Sequence, residues 1–332
     1  MVQPRLTFFC ELPHSELTEM FADAQIIEEL RALKASVSLG LLDLSPERAA
    51  VVRQLNAAGV PLVAWLLLPK DQGYWFNIGN AQQALMRYRA FRDWTATHQL
   101  EWSRVGLDIE PDIREIQALS VRGALLSVLL RRLFDDEQLH QARRLYAALV
   151  TQIRADGYPV DSYQMPFIVD ERRVKSTLLQ RLGGIVDLEV DREVLMLYSS
   201  LLGSLGAGFV WSYAGESGSV GVGVTGGGVE LPARRKAPFL TWAELERDLL
   251  IAWRWNADIH IFSLEGCVRQ GFLSRLRTIN WRQTISPPPT APQVRYLRRL
   301  LRVGLWISRR PLWTLAGLFI FFWLIARLRR RD

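Results

Sequence analysis

The sequence predicts a (β/α)8 TIM barrel followed by a C-terminal transmembrane helix. Three observations carry this reading. Eight strand-like runs alternate with amphipathic helical stretches across residues 1–285, large and small residues alternate inside several runs, and a proline-rich linker divides this body from an apolar tail. Strands separated by helices pair in parallel, and eight such units over about 280 residues suit a closed barrel.

The strand-like runs lie at residues 6–11, 36–42, 62–68, 105–110, 159–164, 194–199, 220–225 and 258–264. In the seventh, Val220, Val222 and Val224 alternate with Gly221, Gly223 and Thr225; in the second, Val37, Leu39 and Leu41 alternate with Ser36, Ser38 and Gly40. Side chains of a strand point alternately to its two faces, so the aliphatics should meet the surrounding helices and the small or polar residues the barrel interior. The helical stretches carry their own boundaries. Ser45 caps a helix over 45–58, Pro46 takes its first position and Gly59 ends it, while Thr241 opens another over 241–255. A helical insertion at about 112–157 is longer than one barrel helix needs and predicts an added hairpin near the strand ends. The rival architecture, a doubly wound open sheet, usually places a glycine-rich phosphate loop after its first strand. Here Cys10-Glu11-Leu12-Pro13 follows instead.

The charge divides at the linker. Of 41 basic and 34 acidic residues, ten arginines and one acid lie in 295–332, so residues 1–294 carry 31 basic and 33 acidic side chains. The body is thus net negative, its basic residues form no stripe, and a nucleic-acid partner is excluded as the reading of a basic pI. Residues 286–292 (SPPPTAP) form a stiff linker. Residues 293–308 interleave Arg295, Arg298, Arg299 and Arg302 with Leu297, Leu300, Leu301 and Leu305, which predicts a basic amphipathic juxtamembrane helix. A helix docked on the main domain is the alternative. Residues 311–326 contain no charge, are bracketed by arginines and hold Trp313 and Trp323 near their ends, which predicts a transmembrane helix over 311–327. The N-terminal residues show no export signal, so the expectation is a single-pass C-terminal anchor with a cytoplasmic barrel. The lipid bilayer is the first expected partner, and the sequence leaves oligomeric state open.

Active sites of such barrels lie at the C-terminal ends of the strands. The inward positions there are Glu11, Asp108, Glu110, Gln164, Tyr198 and Glu265. Asp108 and Glu110 stand two apart in Val105-Gly106-Leu107-Asp108-Ile109-Glu110, so both should project into the mouth while Leu107 and Ile109 face outward. Two carboxylates that close do not ionise independently, and one pKa should rise toward the range of a general acid. Trp65 in the third run and Tyr74 and Trp75 after it are candidates for stacking on a substrate or, equally, for packing within the loop, and Tyr163 and Gln164 end the fifth as further substrate-binding candidates.

The Asp108-Ile109-Glu110 segment, after a hydrophobic strand containing Gly106, resembles the fourth-strand motif of TIM-barrel glycoside hydrolases, in particular the family 18 chitinase-like and family 25 lysozyme-like groups. Met196-Leu197-Tyr198 resembles the sixth-strand segment of the chitinase-like barrels. Gly106 and Arg104 stand where the longer chitinase series has acids, and Ser199 follows the tyrosine in place of Asp. The resemblance implies that Glu110 is the acid that protonates the glycosidic oxygen, that Asp108 orients it or stabilises the intermediate, and that Tyr198 positions the substrate. Glu11 or Glu265 would supply further charge. It implies a glycan or glycolipid substrate and no cofactor. The alternative function is a catalytically inactive glycan-binding or scaffolding barrel tethered to the membrane.

The remaining chemistry is sparse. His14, His98, His140 and His260 show no metal-binding spacing, and His260 is placed on the outward parity of its strand. Cys10 and Cys267 are expected as reduced, buried thiols. Gly226-Gly227-Gly228 reads as an anion-binding loop or as a plain flexible one.

Overall fold

A computed structural model of the chain describes residues 3–118, 132, 136–228 and 239–309. Eight parallel strands close into a barrel in sequence order: β1 (Arg5–Cys10), β2 (Ser36–Leu41), β3 (Leu62–Leu66), β4 (Arg104–Ile109), β5 (Val160–Gln164), β6 (Arg192–Leu197), β7 (Ser219–Gly223) and β8 (Asp258–Phe262). β8 pairs with β1 from Arg5 opposite Asp258 to Phe9 opposite Phe262, which closes the ring. The (β/α)8 expectation is therefore met. Several strands end earlier than expected, so that Glu11, Glu110 and Tyr198 lie just past theirs and Glu265 sits on the following helix, Leu264–Arg269.

The helix starts obey their local chemistry. Ser45 Oγ accepts from the Arg48 amide at 3.2 Å, and Thr241 and Glu244 form a reciprocal capping box. Within the insertion, the described elements are a short helix, Ile113–Ala118, and a long one, Asp136–Ala155. The long helix packs against the helix Ala81–His98 and serves as the ordinary barrel helix between β4 and β5. A helix spans Ala291–Ser308, so the last two residues of the expected linker form its first turn. The expected transmembrane helix over 311–327 lies outside the described residues. Among the described residues, no helix is long and apolar enough to cross a membrane.

Two cores result from the period of two. Leu6, Phe8, Val37, Leu39, Leu107, Leu195, Val220, Val222, Ile259 and Ile261 form the layer between strands and helices. The inward positions form a second cluster of Phe9, Trp65, Leu67, Tyr163, Val194 and Met196. At the N-terminal end, Asp161 is fully buried between Arg104 (Nε to Oδ1 2.5 Å) and Arg192, which also reaches Asp258 at 3.7 Å. Above this ion-paired layer, Phe9 meets the Tyr163 ring edge-on at 4.7 Å and Trp65 at 5.2 Å, making an aromatic floor.

His260 belongs to the interior, which corrects its assignment to the outward face. Ile259 and Ile261 take the outward positions, and His260 stands between Ser219 (Nδ1 to Oγ 3.3 Å) and the Phe9 and Tyr163 rings. Burial, with Arg192 and Arg104 nearby, holds its imidazole neutral, well below the usual range.

The floor depends on one missing side chain. Tyr163 lies across Gly106 and its hydroxyl bonds Ser38 Oγ at 2.6 Å; a Cβ on Gly106 would overlap the tyrosine ring and hydroxyl. Gly106→Ala should destabilise the fold by about 1–3 kcal/mol in urea unfolding. In a Tyr163→Leu background the same change should cost clearly less, and equal costs in both backgrounds would exclude this contact as the cause.

Candidate active site at the barrel mouth

β4 delivers Asp108 inward and Glu110 just past the strand, as the alternation predicts. The chain after β3 is then stitched beside them. Phe76 pairs with Ile109, its amide donates to the Asp108 carbonyl at 2.9 Å, and the Glu110 amide donates back to the Phe76 carbonyl at 3.2 Å. This pairing fixes the segment that carries Tyr74 and Trp75. Tyr74 holds a left-handed backbone (φ 66°), uncommon for a residue with a Cβ, and its hydroxyl donates to Glu11 Oε1 across the mouth. The sequence offers Tyr74 as a stacking ring or as loop packing and gives no sign of this bond, which joins residues 63 positions apart.

Asp108 is 2% exposed. Its Oδ2 accepts from the Trp65 indole N–H at 3.1 Å, and its Oδ1 has no hydrogen-bond partner. Burial, reinforced by the negative fields of Glu110 and Glu11, pushes its pKa well above the usual carboxylate range, while the Trp65 bond opposes the rise. Glu110 is half-buried, nearer the opening. Tyr198, also half-buried, packs on Phe262 at 5.5 Å; burial and the charges of Asp108, Glu110 and Glu11 raise its phenol pKa, so it stays a proton donor facing the acids.

Glu265 comes from the other side of the ring, next to β1. It is 2% exposed, and neither carboxylate oxygen makes a hydrogen bond of ordinary geometry. Burial pushes its pKa up to about 7, partly offset by its own amide, the Ser263 hydroxyl and the Glu11 amide. The three glycines after β7 all have positive φ, and Gly227 and Gly228 lie over Glu265 and Glu11. A Cβ on Gly227 would strike the Glu265 carboxylate, and one on Gly228 would strike Phe262 and approach Glu11 Oε2. A loop laid on two carboxyl groups is not an anion cradle, which removes that reading of the glycine run.

The structure thus brings Asp108, Glu110, Glu11, Glu265 and Tyr198 to one mouth. It places the substrate-binding candidates differently. Gln164 is a correction: it lies opposite Ile109 and Leu195 on the outward parity, where its Nε2 donates to the Val186 carbonyl at 3.2 Å beneath the helices. Tyr163 is fully buried in the floor. Trp65 and Trp75 are 2% and 6% exposed, the first bonded to Asp108 and the second packed edge-on against Tyr74 at 5.3 Å. Cys10 and Cys267 are both free and buried.

No family model and no curated relative matches the chain. Among solved structures, it is similar to the glycoside hydrolase domain of PgaB (BpsB) from Bordetella bronchiseptica over 85% of this chain and 99% of that one, at 10% identity and a TM-score of 0.48. It is similar to a GH18 chitinase from Pseudoalteromonas aurantia over 82% and 99%, at 8% identity and a TM-score of 0.42. An L-ribulose 3-epimerase matches over 93% and 97%, at 14% identity and a TM-score of 0.42. At these identities the likeness is one of fold.

The raised carboxyl pKa values make stability depend on pH with a definite sign. Between the ordinary value near 4.5 and the folded value of about 7, unfolded Glu265 loses its proton while folded Glu265 keeps it. The folded state then binds more protons, so stability falls as pH rises through this window, by up to about 3 kcal/mol for this group. Glu265→Gln should remove that part of the slope and be more stable than the unsubstituted protein at pH 8. Parallel urea-unfolding curves for the two proteins from pH 4 to pH 8 would contradict this.

Proposed function

We propose that the protein is a glycoside hydrolase-like enzyme in which Glu110 and Asp108 work as an acid/base pair on a glycan. The observation that carries the reading is the state of Asp108. It is a buried carboxyl with one oxygen unpaired, and the charges of Glu110 and Glu11 lie beside it at the open end of a barrel. Such a pair gives up its last proton at a higher pH than isolated carboxylates do. Glu110, at the opening, is the member placed to hand that proton to a glycosidic oxygen. Asp108, fixed by the Trp65 N–H, then keeps the pair's remaining charge close to the positive charge that develops at the anomeric carbon. Tyr198 remains a donor for a sugar or acetamido oxygen. A mouth so rich in acids disfavours polyanionic substrates and suits neutral or acetamido sugars.

The second part of the proposal concerns the tail. The uncharged stretch after residue 310, with arginines on both sides, anchors the barrel to a lipid bilayer as a single membrane-spanning helix. Anchoring is independent of the acid/base reading, and either can fail without the other.

Glu110→Gln keeps the size of the side chain and removes its proton. Turnover of the chromogenic neutral or acetamido glycosides that the full chain cleaves should fall about 10²–10⁴-fold, with the unfolding midpoint unchanged. Undiminished cleavage by this variant would refute the assignment. Glycan binding without any cleavage by the full chain would identify a binding barrel instead.

A further inference from the structure

The helix Ala291–Ser308 has an unusual distribution of residues. Its face toward the barrel holds Ala291, Val294, Arg298 and Leu305, all buried. Its opposite face exposes Tyr296, Leu297, Leu300, Val303 and Trp306, with Leu300 at 50% and Trp306 at 61% exposure. A helix that merely docks on a soluble domain buries its leucines and turns its arginines to water. Here an arginine is buried and leucines are left outside. An apolar helix face of this kind normally has an occupant.

The buried arginine fixes the helix rigidly. The Arg298 guanidinium contacts Asp170 at 2.9 Å and Glu216 at 2.8 Å, donates to the Ser212 carbonyl and lies 3.8 Å from the centre of the Tyr213 ring. Asp170 is fully buried and also accepts from the Tyr213 hydroxyl at 2.6 Å. Charge-assisted bonds on so many sides leave the helix no freedom to roll.

Its direction follows from three contacts. Thr290 lies against Gly208, Arg298 against Ser212 and Glu216, and Arg309 Nη1 donates to the Val174 carbonyl at 2.9 Å. The helix Gly206–Tyr213 follows β6 and precedes β7, so it descends from the mouth toward the N-terminal rim. Ala291–Ser308 descends beside it. Val174 lies near that rim too, since Arg172, two residues before it, pairs with Glu193 at the start of β6. The chain therefore leaves the barrel at the end opposite the acids.

The neighbouring surface at that rim is aromatic and basic. Trp211 and Trp255 meet edge-on at 5.0 Å, and the Arg254 guanidinium lies 5.3 Å from each ring centre. Beside them opens a depression of about 310 Å³ lined in part by Trp211, Trp253, Arg254 and Trp281. Trp255 stands three residues before β8, hence at the N-terminal rim. Tryptophan with arginine is the composition found where a surface meets lipid headgroups.

We infer that the exposed face of Ala291–Ser308, continued by the Trp211–Trp255 ledge, rests on an anionic lipid bilayer, so that the barrel lies on this flank with its mouth opening into water. Lipid is the occupant because the face runs directly into the sixteen uncharged residues 311–326, and because Arg295 and Arg299, both exposed, flank it with positive charge. This rests on the anchoring proposed above and sharpens the substrate: a glycan chain arriving from the aqueous side, not a sugar on a lipid headgroup of the supporting leaflet.

Single cysteines at Leu300→Cys, Val303→Cys and, on the mouth side, Lys70→Cys can carry nitroxide labels in the full chain, since Cys10 and Cys267 are buried. The chain is reconstituted in phosphatidylcholine–phosphatidylglycerol vesicles and floated on a density gradient. Labels at 300 and 303 should then collide more with oxygen than with a water-soluble nickel chelate, and the label at 70 should show the reverse. A chain that floats while labels at 300 and 303 are open to the nickel chelate overturns the docking face but leaves the anchor. Labels closed to both quenchers would show a protein contact and also overturn it. A chain that does not float refutes the anchor, and with it this inference.

Discussion

The space inside the closed barrel is the constraint on which the rest of this structure depends. Eight short strands leave an interior that side chains must fill, and each inward position is chosen against its neighbours. Gly106 gives up its side chain so that Tyr163 can lie across the bore, and Phe9 and Trp65 pack edge-on around that ring. The resulting floor keeps the acids of the mouth apart from the arginines below. Asp161, one layer down, is held by Arg104 and Arg192. Asp108 has an indole N–H and two acidic neighbours instead. Inward carboxyl groups on adjoining strands are thus an ion-pair partner in one layer and a displaced acid in the next. What separates them is a sheet of aromatic carbon.

That arrangement works against stability at the mouth. A carboxyl whose pKa rises on folding is one whose ionised form the fold disfavours, and both Asp108 and Glu265 are in this position. Arg48 is the cation whose field reaches Tyr74, yet its guanidinium is taken up by Asp43 and by the Gly40 and Leu12 carbonyls. Glu11 is satisfied by the Tyr74 hydroxyl, a donor that adds no positive charge. A protein that needed only a sealed barrel end would fill these places with aliphatics, which pack there at no electrostatic cost. Retaining acids in a mouth where burial raises their pKa, and where Glu110 and Glu11 add to the rise at Asp108, is understandable if their protons are used.

The barrel was legible in the sequence because alternation with large residues on one parity marks both the strand and its phase. Val220 and Val222, or Leu107 and Ile109, point outward as read, and the inward acids on β4 follow from them. The reading failed where phase was unmarked or broken. On β5, the outward parity carries Val160, Ser162 and Gln164, so a single aliphatic had to set the phase and Gln164 was placed in the mouth. On β8, counting back from Glu265 turned His260 outward. The strand stops at Phe262, however, and Glu265 reaches the mouth from a helix, so the count crosses a change of period. The Tyr74–Glu11 bond was out of reach for another reason: it depends on the loop after β3 pairing with the end of β4, a tertiary event with no local signature.

The C-terminal helix shows the same limit from the other direction. Its sequence reads as a basic amphipathic helix with one stripe of leucines, and two uses were open, docking on the barrel or lying on a membrane. In the structure the helix docks through Val294 and Leu305, while Leu297 and Leu300 stay outside. A sequence stripe cannot distinguish these faces, because three-residue and four-residue steps around a helix drift apart over its 18 residues. The discriminating residue is Arg298. On hydrophobicity alone it belongs in water, and only an acid waiting at the depth of Asp170 makes its burial affordable. Since Asp170 lies on another helix, 128 positions earlier, the partner that decides how the tail is seated is written in the barrel and not in the tail. Arg298 locks the helix to this acidic protein surface, with Arg302 3.7 Å from the same Asp170, and that lock determines which apolar side chains remain exposed.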